Sequence, residues 1–193
     1  MFKKSVPIIL LLLFQIAYAQ MSVKTGGIFF AKEYSKEIAL YNVKTFLIKN
    51  ILGQTNDLIK FEADALTSAN SGELTTLAYR CTSLNKEGLI LGFYGNRWNE
   101  AGVVYQSYEF KNFPIKEANE FLDKIEKMIS ENTKFIESDP DVNNIYFQYD
   151  DITVLIYDDM SSFKLRIFWN GFDSLWDLST FKKTKRRLIR KLK

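Results

Sequence analysis

Two pairs of aspartates, Asp150-Asp151 and Asp158-Asp159, flank the run ITVLIY, and paired carboxylates are where acid–base chemistry is first sought. Six strand residues at about 3.3 Å each would hold the pairs near 20 Å apart. Glycosidase carboxyls, by contrast, stand roughly 5–9.5 Å apart. The pairs therefore read as turn residues, a position in which Asp bonds its own backbone.

A second constellation is reminiscent of a calcium loop. In DPDVNNIYFQYD, Asp139, Asp141 and Asn143 take the first, third and fifth places of a twelve-residue frame, and Asp150 takes the twelfth. Oxygen ligands at alternate positions can converge on one hard cation. However, Asn144 stands where that frame needs glycine, Asp150 where it needs a bidentate Glu, and IYFQY alternates like a strand. The expectation is a polar loop between helix and strand. Metal binding is the weaker alternative, and no cofactor is expected.

Histidine is absent from all 193 residues. Ser-His-Asp and Cys-His machinery needs imidazole to take and return a proton near neutral pH, and His-based zinc sites fall with it. The lone Cys81 makes neither a four-cysteine site nor a CxxC redox pair. It shares parity with Leu77 and Tyr79 in LTTLAYRCTSL, the expected core side, where a free thiol acts as a small hydrophobe. No GxxxxGKS/T or GxGxxG loop is present to cradle phosphates. Catalysis would rest on carboxylates, Lys, Tyr or an oxygen-held metal, so the chain reads as a non-enzyme.

The aromatics suggest binding instead. Trp98 falls in an expected turn, GNRWNEAG, with Tyr94 and Arg97 nearby. An exposed ring beside Arg suits stacking on a ligand or partner. Phe168, Trp169, Phe172, Leu175 and Trp176 crowd FWNGFDSLW, a density that suits packing of a last helix on a sheet.

The last twelve residues, KKTKRRLIRKLK, carry eight cations and no acid: Lys182, Lys183, Lys185, Arg186, Arg187, Arg190, Lys191 and Lys193. On a helix, Leu178, Phe181, Lys185, Leu188 and Leu192 follow steps of three and four. Cations in the final turns oppose the helix dipole, each contributing roughly 0.3–1 kcal/mol, and three would serve that end. The excess suits docking on an acidic body plus a solvated basic face, in preference to adhesion to an anionic membrane surface.

The opposite end reads as a leader. MFKKSVPIILLLLFQIAYAQ has Lys3 and Lys4, an apolar run from Val6 to Ile16, and then Ala17-Tyr18-Ala19, as a cleaved signal peptide requires. These eleven residues are short of the roughly 20 that span a bilayer. With 1–19 removed, 24 basic residues face 23 acidic ones; without the last twelve as well, 16 face 23. Thirteen asparagines form no N-x-S/T site, and the abundance of Lys, Ile, Asn, Phe and Tyr suits an AT-rich bacterial genome. The expected location is a bacterial periplasm or the cell exterior, where nucleic acid is a poor candidate partner.

These features must sit on elements. KEYSKEIALYNVKTFLIKNILG places Ile38, Tyr41, Phe46, Ile48 and Leu52 at helical intervals before Gly53. LIKFEADAL, LTTLAYRCTSL, GLILGFYG and VVYQSYEF alternate with turn signals as an antiparallel meander does. Pro114 opens a helix with Ile115, Ala118, Leu122, Ile125 and Ile129 on one face. Three strands follow, IYFQYD, DITVLIYDD and FKLRIFWN, and then a closing helix from about 172 to 193.

The expected fold is α+β: one domain over 20–193, a meander sheet of about seven strands, helices on one face, order α-β4-α-β3-α. The function this suggests is an exported, non-catalytic binding domain for a protein, envelope component or small ligand. The alternatives are a peripheral envelope protein held by its basic helix, and a histidine-free hydrolase.

Overall fold

The computed structural model describes residues 40–69, 72–159 and 162–192; the expected leader, residues 1–19, and Lys193 lie outside them. Asn42–Lys193 form one unit; of the other, Met1–Tyr41, only the last two residues are described, both helical. The first helix, α1, is α-helical over 40–46 and π-helical over Leu47–Leu52. Four strands follow: β1 (Glu62–Ser68), β2 (Leu74–Cys81), β3 (Lys86–Trp98) and β4 (Val104–Pro114). Helix α2 (Ile115–Ser138) leads to β5 (Ile145–Tyr149), β6 (Ile152–Asp158), β7 (Phe163–Trp169) and β8 (Phe172–Asp177), and α3 (Leu178–Lys191) closes the chain.

The class is α+β, but the strands form two antiparallel four-stranded sheets, β1-β2-β3-β4 and β5-β6-β7-β8, not one meander of about seven. A four-stranded meander followed by a helix thus occurs twice. The eighth strand is FDSLWD, assigned above to the start of the closing helix. Asn170 and Gly171 both have positive φ, 46° and 76°, and Trp169 pairs with Phe172 across them. Asn-Gly is the preferred sequence for such a two-residue hairpin turn because both positions must adopt that conformation. Phe172, Ser174 and Trp176 then alternate inward.

The helices do not share one face. In β2 and β3, one set of alternate residues (Leu74, Ala78, Leu89, Leu91, Phe93) enters a core with α2, α3 and the second sheet. The other set (Leu77, Tyr79, Ile90) packs against Val43 and Leu47 of α1. Strands that are apolar on both faces need cover on both, so α1 lies opposite α2 and α3. The buried stripe of α1 is Val43 and Leu47, with Phe46, Ile51 and Leu52 beside it. Ile48 and Tyr41, expected on that stripe, are exposed, and Ile38 lies outside the described residues. The wider π turn from Leu47 changes which positions align. Gly53 ends the helix at φ 86°, its N–H donating to the Ile48 carbonyl.

Helix α2 follows its sequence pattern: Ala118, Leu122 and Ile125 are fully buried, Ile129 nearly so, and Ile115 borders the core. Its Phe121 ring stacks on Phe113 of β4, centroids 5.0 Å apart and 8° from parallel. Phe93 and Trp169, 5.0 Å apart, join the two sheets. The second sheet buries Ile152, Val154, Ile156, Leu165 and Ile167 on its inner face. On its outer face Thr153, Leu155, Tyr157, Phe168 and Leu175 are half-buried, and no described helix covers them.

Candidate interaction site at the end of the β3–β4 ribbon

Strand β2 begins at Leu74, which pairs with Phe93. Past that pair the Tyr94 N–H donates to the Glu73 carbonyl (2.8 Å), and among the described residues β3 then continues to Trp98 paired with β4 alone, through Tyr94–Tyr108 to Trp98–Val104. The result is a two-stranded ribbon extending past the four-stranded sheet. GNRW, expected as a turn, is therefore strand, and the turn proper is Asn99–Val103. Asn99 organises it: the Oδ1 accepts from Ala101 N–H (3.0 Å) and Val103 N–H (2.8 Å), and the backbone N–H donates to Val103 carbonyl (3.0 Å). Gly102, at φ 74°, completes the reversal.

Antiparallel partners share a face, which assigns each side chain. Arg97, Tyr105 and Glu109 lie on the face turned toward the second sheet, and Trp98, Val104 and Tyr108 on the opposite one. Gly95 makes the first face close-fitting: a Cβ there would stand 3.4 Å from Phe172. The Arg97 guanidinium lies 4.3 Å over the Phe172 ring and pairs with Glu109 at 3.0 Å. It also donates to the Asn170 carbonyl, and the Asn170 amide donates to Glu109. A second clasp lies along the same seam. Lys111 Nζ reaches Asp150 (2.7 Å) and Asp151 (2.5 Å), and Trp169 Nε1 donates to Asp151 (2.9 Å). Burial works against both charges, but these bonds outweigh it, holding the Lys111 pKa above the usual lysine value and Asp151 below the usual carboxylate value.

Among the described residues, no such clasp reaches the far end of the ribbon. Trp98 is 71% exposed, Val103 57%, Val104 46% and Tyr105 46%. Among the described residues eleven large apolar side chains are exposed, and these four fall within eight consecutive positions. Scattered exposed apolar residues are ordinary, whereas a cluster is not. The three residues expected to bind together are separated by the fold. Trp98 is free to act, Arg97 is held by Glu109 and Phe172, and Tyr94 is 8% exposed. Burial pushes the Tyr94 hydroxyl up to about 12, against the bond it shares with Thr75. Val103, Val104 and Tyr105 went unrecognised because VVY reads as ordinary strand. Only the short NEAG turn, which sets VVY against RW, reveals their place.

The other candidates are dispersed. Asp139 and Asn143 finish α2: the Asp139 carbonyl accepts from Asn143 N–H (2.8 Å), and the Asn143 amide donates to the Phe135 carbonyl (2.8 Å). Asp141 is exposed in that loop. Asp150 lies beyond β5, whose five residues span about 16 Å, and is bound to Lys111. Asp158 ends β6, and Asp159, just beyond it, pairs with Lys164 at 3.3 Å. Cys81 is fully buried, its sulfur 3.5 Å from the Lys60 carbonyl and from Ser83 Oγ. Two open clefts, of about 390 and 660 Å³, border the 53–62 segment, the first lined by Lys60, Phe61, Glu62 and Arg80, the second by Leu52, Asn56 and Asp57.

The basic run divides. Lys185 lies between α3 and α2, 2.7 Å from Asp123 and also paired with Glu126; against some burial, these bonds raise its pKa. Lys191 pairs with Asp64 at 2.9 Å, and Arg187 donates to the Leu66 carbonyl on the β1 edge. Beneath them the β1 bulge at Ala65–Thr67 is closed by hydroxyls. Thr76 Oγ1 accepts from Thr67 N–H (3.1 Å) and shares a bond with Thr184 (3.1 Å), which also bonds Thr67. Lys182, Lys183, Arg186 and Arg190 are exposed.

Comparison of the chain with protein-family models, curated proteins and solved structures finds no match.

Proposed function

We propose that the chain is an exported, non-catalytic α+β domain that binds a protein partner through the tip of the β3–β4 ribbon. The observation that carries this reading is the clustering of Trp98, Val103, Val104 and Tyr105 on a turn already ordered by Asn99. Trp and Tyr dominate the energetics of protein interfaces, and a pre-ordered loop loses little entropy on docking. Of the carboxylates that the sequence offers for catalysis, Asp150 and Asp151 hold Lys111, and Asp159 pairs with Lys164. A sequence without imidazole further favours recognition over turnover. The leader pattern in residues 1–19 is what supports export in this reading.

Site-specific photo-crosslinking in the native cell tests this. A crosslinking residue at 98 or 104 is expected to give one discrete protein adduct. The same residue at 135 or 142, which are exposed apolar positions elsewhere, is expected to give none. Absence of an adduct at 98 and 104, or an identical pattern at all four positions, contradicts the proposal.

A further inference from the structure

Helix α3 presents a second surface, unrelated to the ribbon. With about 100° per residue, Lys182, Lys183, Arg186 and Arg190 fall within an arc of about 100° opposite the buried side of the helix. That buried side is Phe181, Thr184 and Leu188, all fully buried. From 182 to 190 the row extends about 12 Å along the axis. The remaining described cations of the run are already engaged: Lys185 with Asp123 and Glu126, Arg187 with the Leu66 carbonyl, Lys191 with Asp64. Lys185 does more than anchor the helix. It also pairs with both α2 carboxylates, Asp123 and Glu126, and so offsets one of their two negative charges. Ile189, 40% exposed, lies at its margin.

Orientation separates this surface from the ribbon. Thr180 and Thr184 lie against Thr67, whereas Lys191 meets Asp64. Thr67 pairs with Thr76 and Asp64 with Ala78, so α3 runs away from the Leu74–Phe93 end from which the ribbon extends. The cationic row and the apolar tip therefore serve different contacts.

We propose that the outward face of α3 is a reversible docking surface for an anionic phospholipid bilayer. A straight row of cations on the side of a helix fits a flat lattice of headgroup phosphates. A single marginal isoleucine fits contact without deep insertion, as expected for an electrostatic peripheral attachment. Residues 1–181 carry 18 basic and 23 acidic residues, so such attachment would be oriented, helix toward the bilayer and acidic body away.

Co-sedimentation of the protein with phosphatidylglycerol-containing vesicles and with pure phosphatidylcholine vesicles tests the assignment. Binding is expected only to the anionic vesicles, weakening more than about tenfold between 0.05 and 0.5 M salt. Each cation near such a surface shifts partitioning about fivefold, so K182Q/K183Q/R186Q/R190Q should lower it by roughly a hundredfold or more. The pair R186Q/R190Q alone should lower it about 25-fold, which guards against misfolding of the quadruple variant. K116Q/K127Q/K134Q on α2 should leave it unchanged. Equal binding to both vesicle types, no binding to either, or insensitivity to the α3 substitutions overturns the proposal. So does a preference of the α3 row for single-stranded oligonucleotide over vesicles at equal salt.

Discussion

The two meanders have the same connectivity but not the same surroundings. In the first, β3 is buried without a break from Gly88 to Tyr94, because α1 covers one face and the shared core the other. In the second, β6 alternates, with Ile152, Val154 and Ile156 fully buried and Thr153, Leu155 and Tyr157 half-exposed between them. The difference is written in the side chains. GLILGFY is apolar at nearly every position except where glycine stands, while the β7 outer positions are Lys164, Arg166 and Phe168. The first sheet is the molecule's interior; the second is its wall.

Paired substitutions sharpen that contrast. Ile90→Ala, on the α1 side of the first sheet, should cost about 2–5 kcal/mol in urea unfolding. Leu155→Ala, on the outer face of the second, should cost about 1 kcal/mol or less. Equal costs would mean that both sheets are covered alike. Thr184→Val removes the hydroxyl that ties α3 to the β1 bulge, and should cost about 1–2 kcal/mol because Thr67 and Thr76 lose a buried partner. A neutral result would show those hydroxyls to be satisfied without it.

Smaller effects belong to the seam between the meanders. Asp151→Asn should cost about 0.5–1 kcal/mol, since a half-exposed pair is screened by solvent and salt. Its pH behaviour has a definite sign. The Asp151 pKa is lowered from 3.8, so its contribution is present above about pH 4 and lost as pH falls through the folded value. The Lys111 pKa is raised from 10.5, so its contribution is present below that value and lost as pH rises through the folded one. With no histidine to titrate, the thermal midpoint should stay within about 2 °C between pH 5.5 and 7.5. A steeper slope there would point to a strongly shifted carboxylate. At the bottom of the scale, Trp98→Ala should change stability by no more than about 0.5 kcal/mol. A larger loss would mean that the ring packs against the body.

Much of this was legible in the chain because local period and burial agree. Ala118, Leu122, Ile125 and Ile129 keep helical spacing along α2, and the β2 and β6 runs keep strand parity. The eighth strand was hidden because Phe172 and Trp176, four apart, satisfy a helical period as readily as a strand period. The Asn170-Gly171 turn was the clue that separated the two. The division into two sheets depends on long-range packing of α2 and α3 between them, for which no local signal exists. The site was legible in part. Trp98 is conspicuous as an aromatic near a turn, whereas its companions Val103, Val104 and Tyr105 stand out only once β3–β4 register is known. In the basic run, helical spacing alone sets Lys185 on the stripe of Leu178, Phe181, Leu188 and Leu192, whereas the bonds of Arg187 to Leu66 and of Lys191 to Asp64 depend on where β1 lies.

The most direct test of the ribbon as the recognition element is hydrogen exchange of the purified protein with and without a lipid-depleted extract of the envelope proteins of its native cell. Slowed exchange confined to residues 95–106, and abolished in Trp98→Ser/Val104→Ser, is the predicted outcome. Unchanged exchange at the ribbon, with protection instead around the 53–62 clefts or the outer face of the second sheet, would contradict the account.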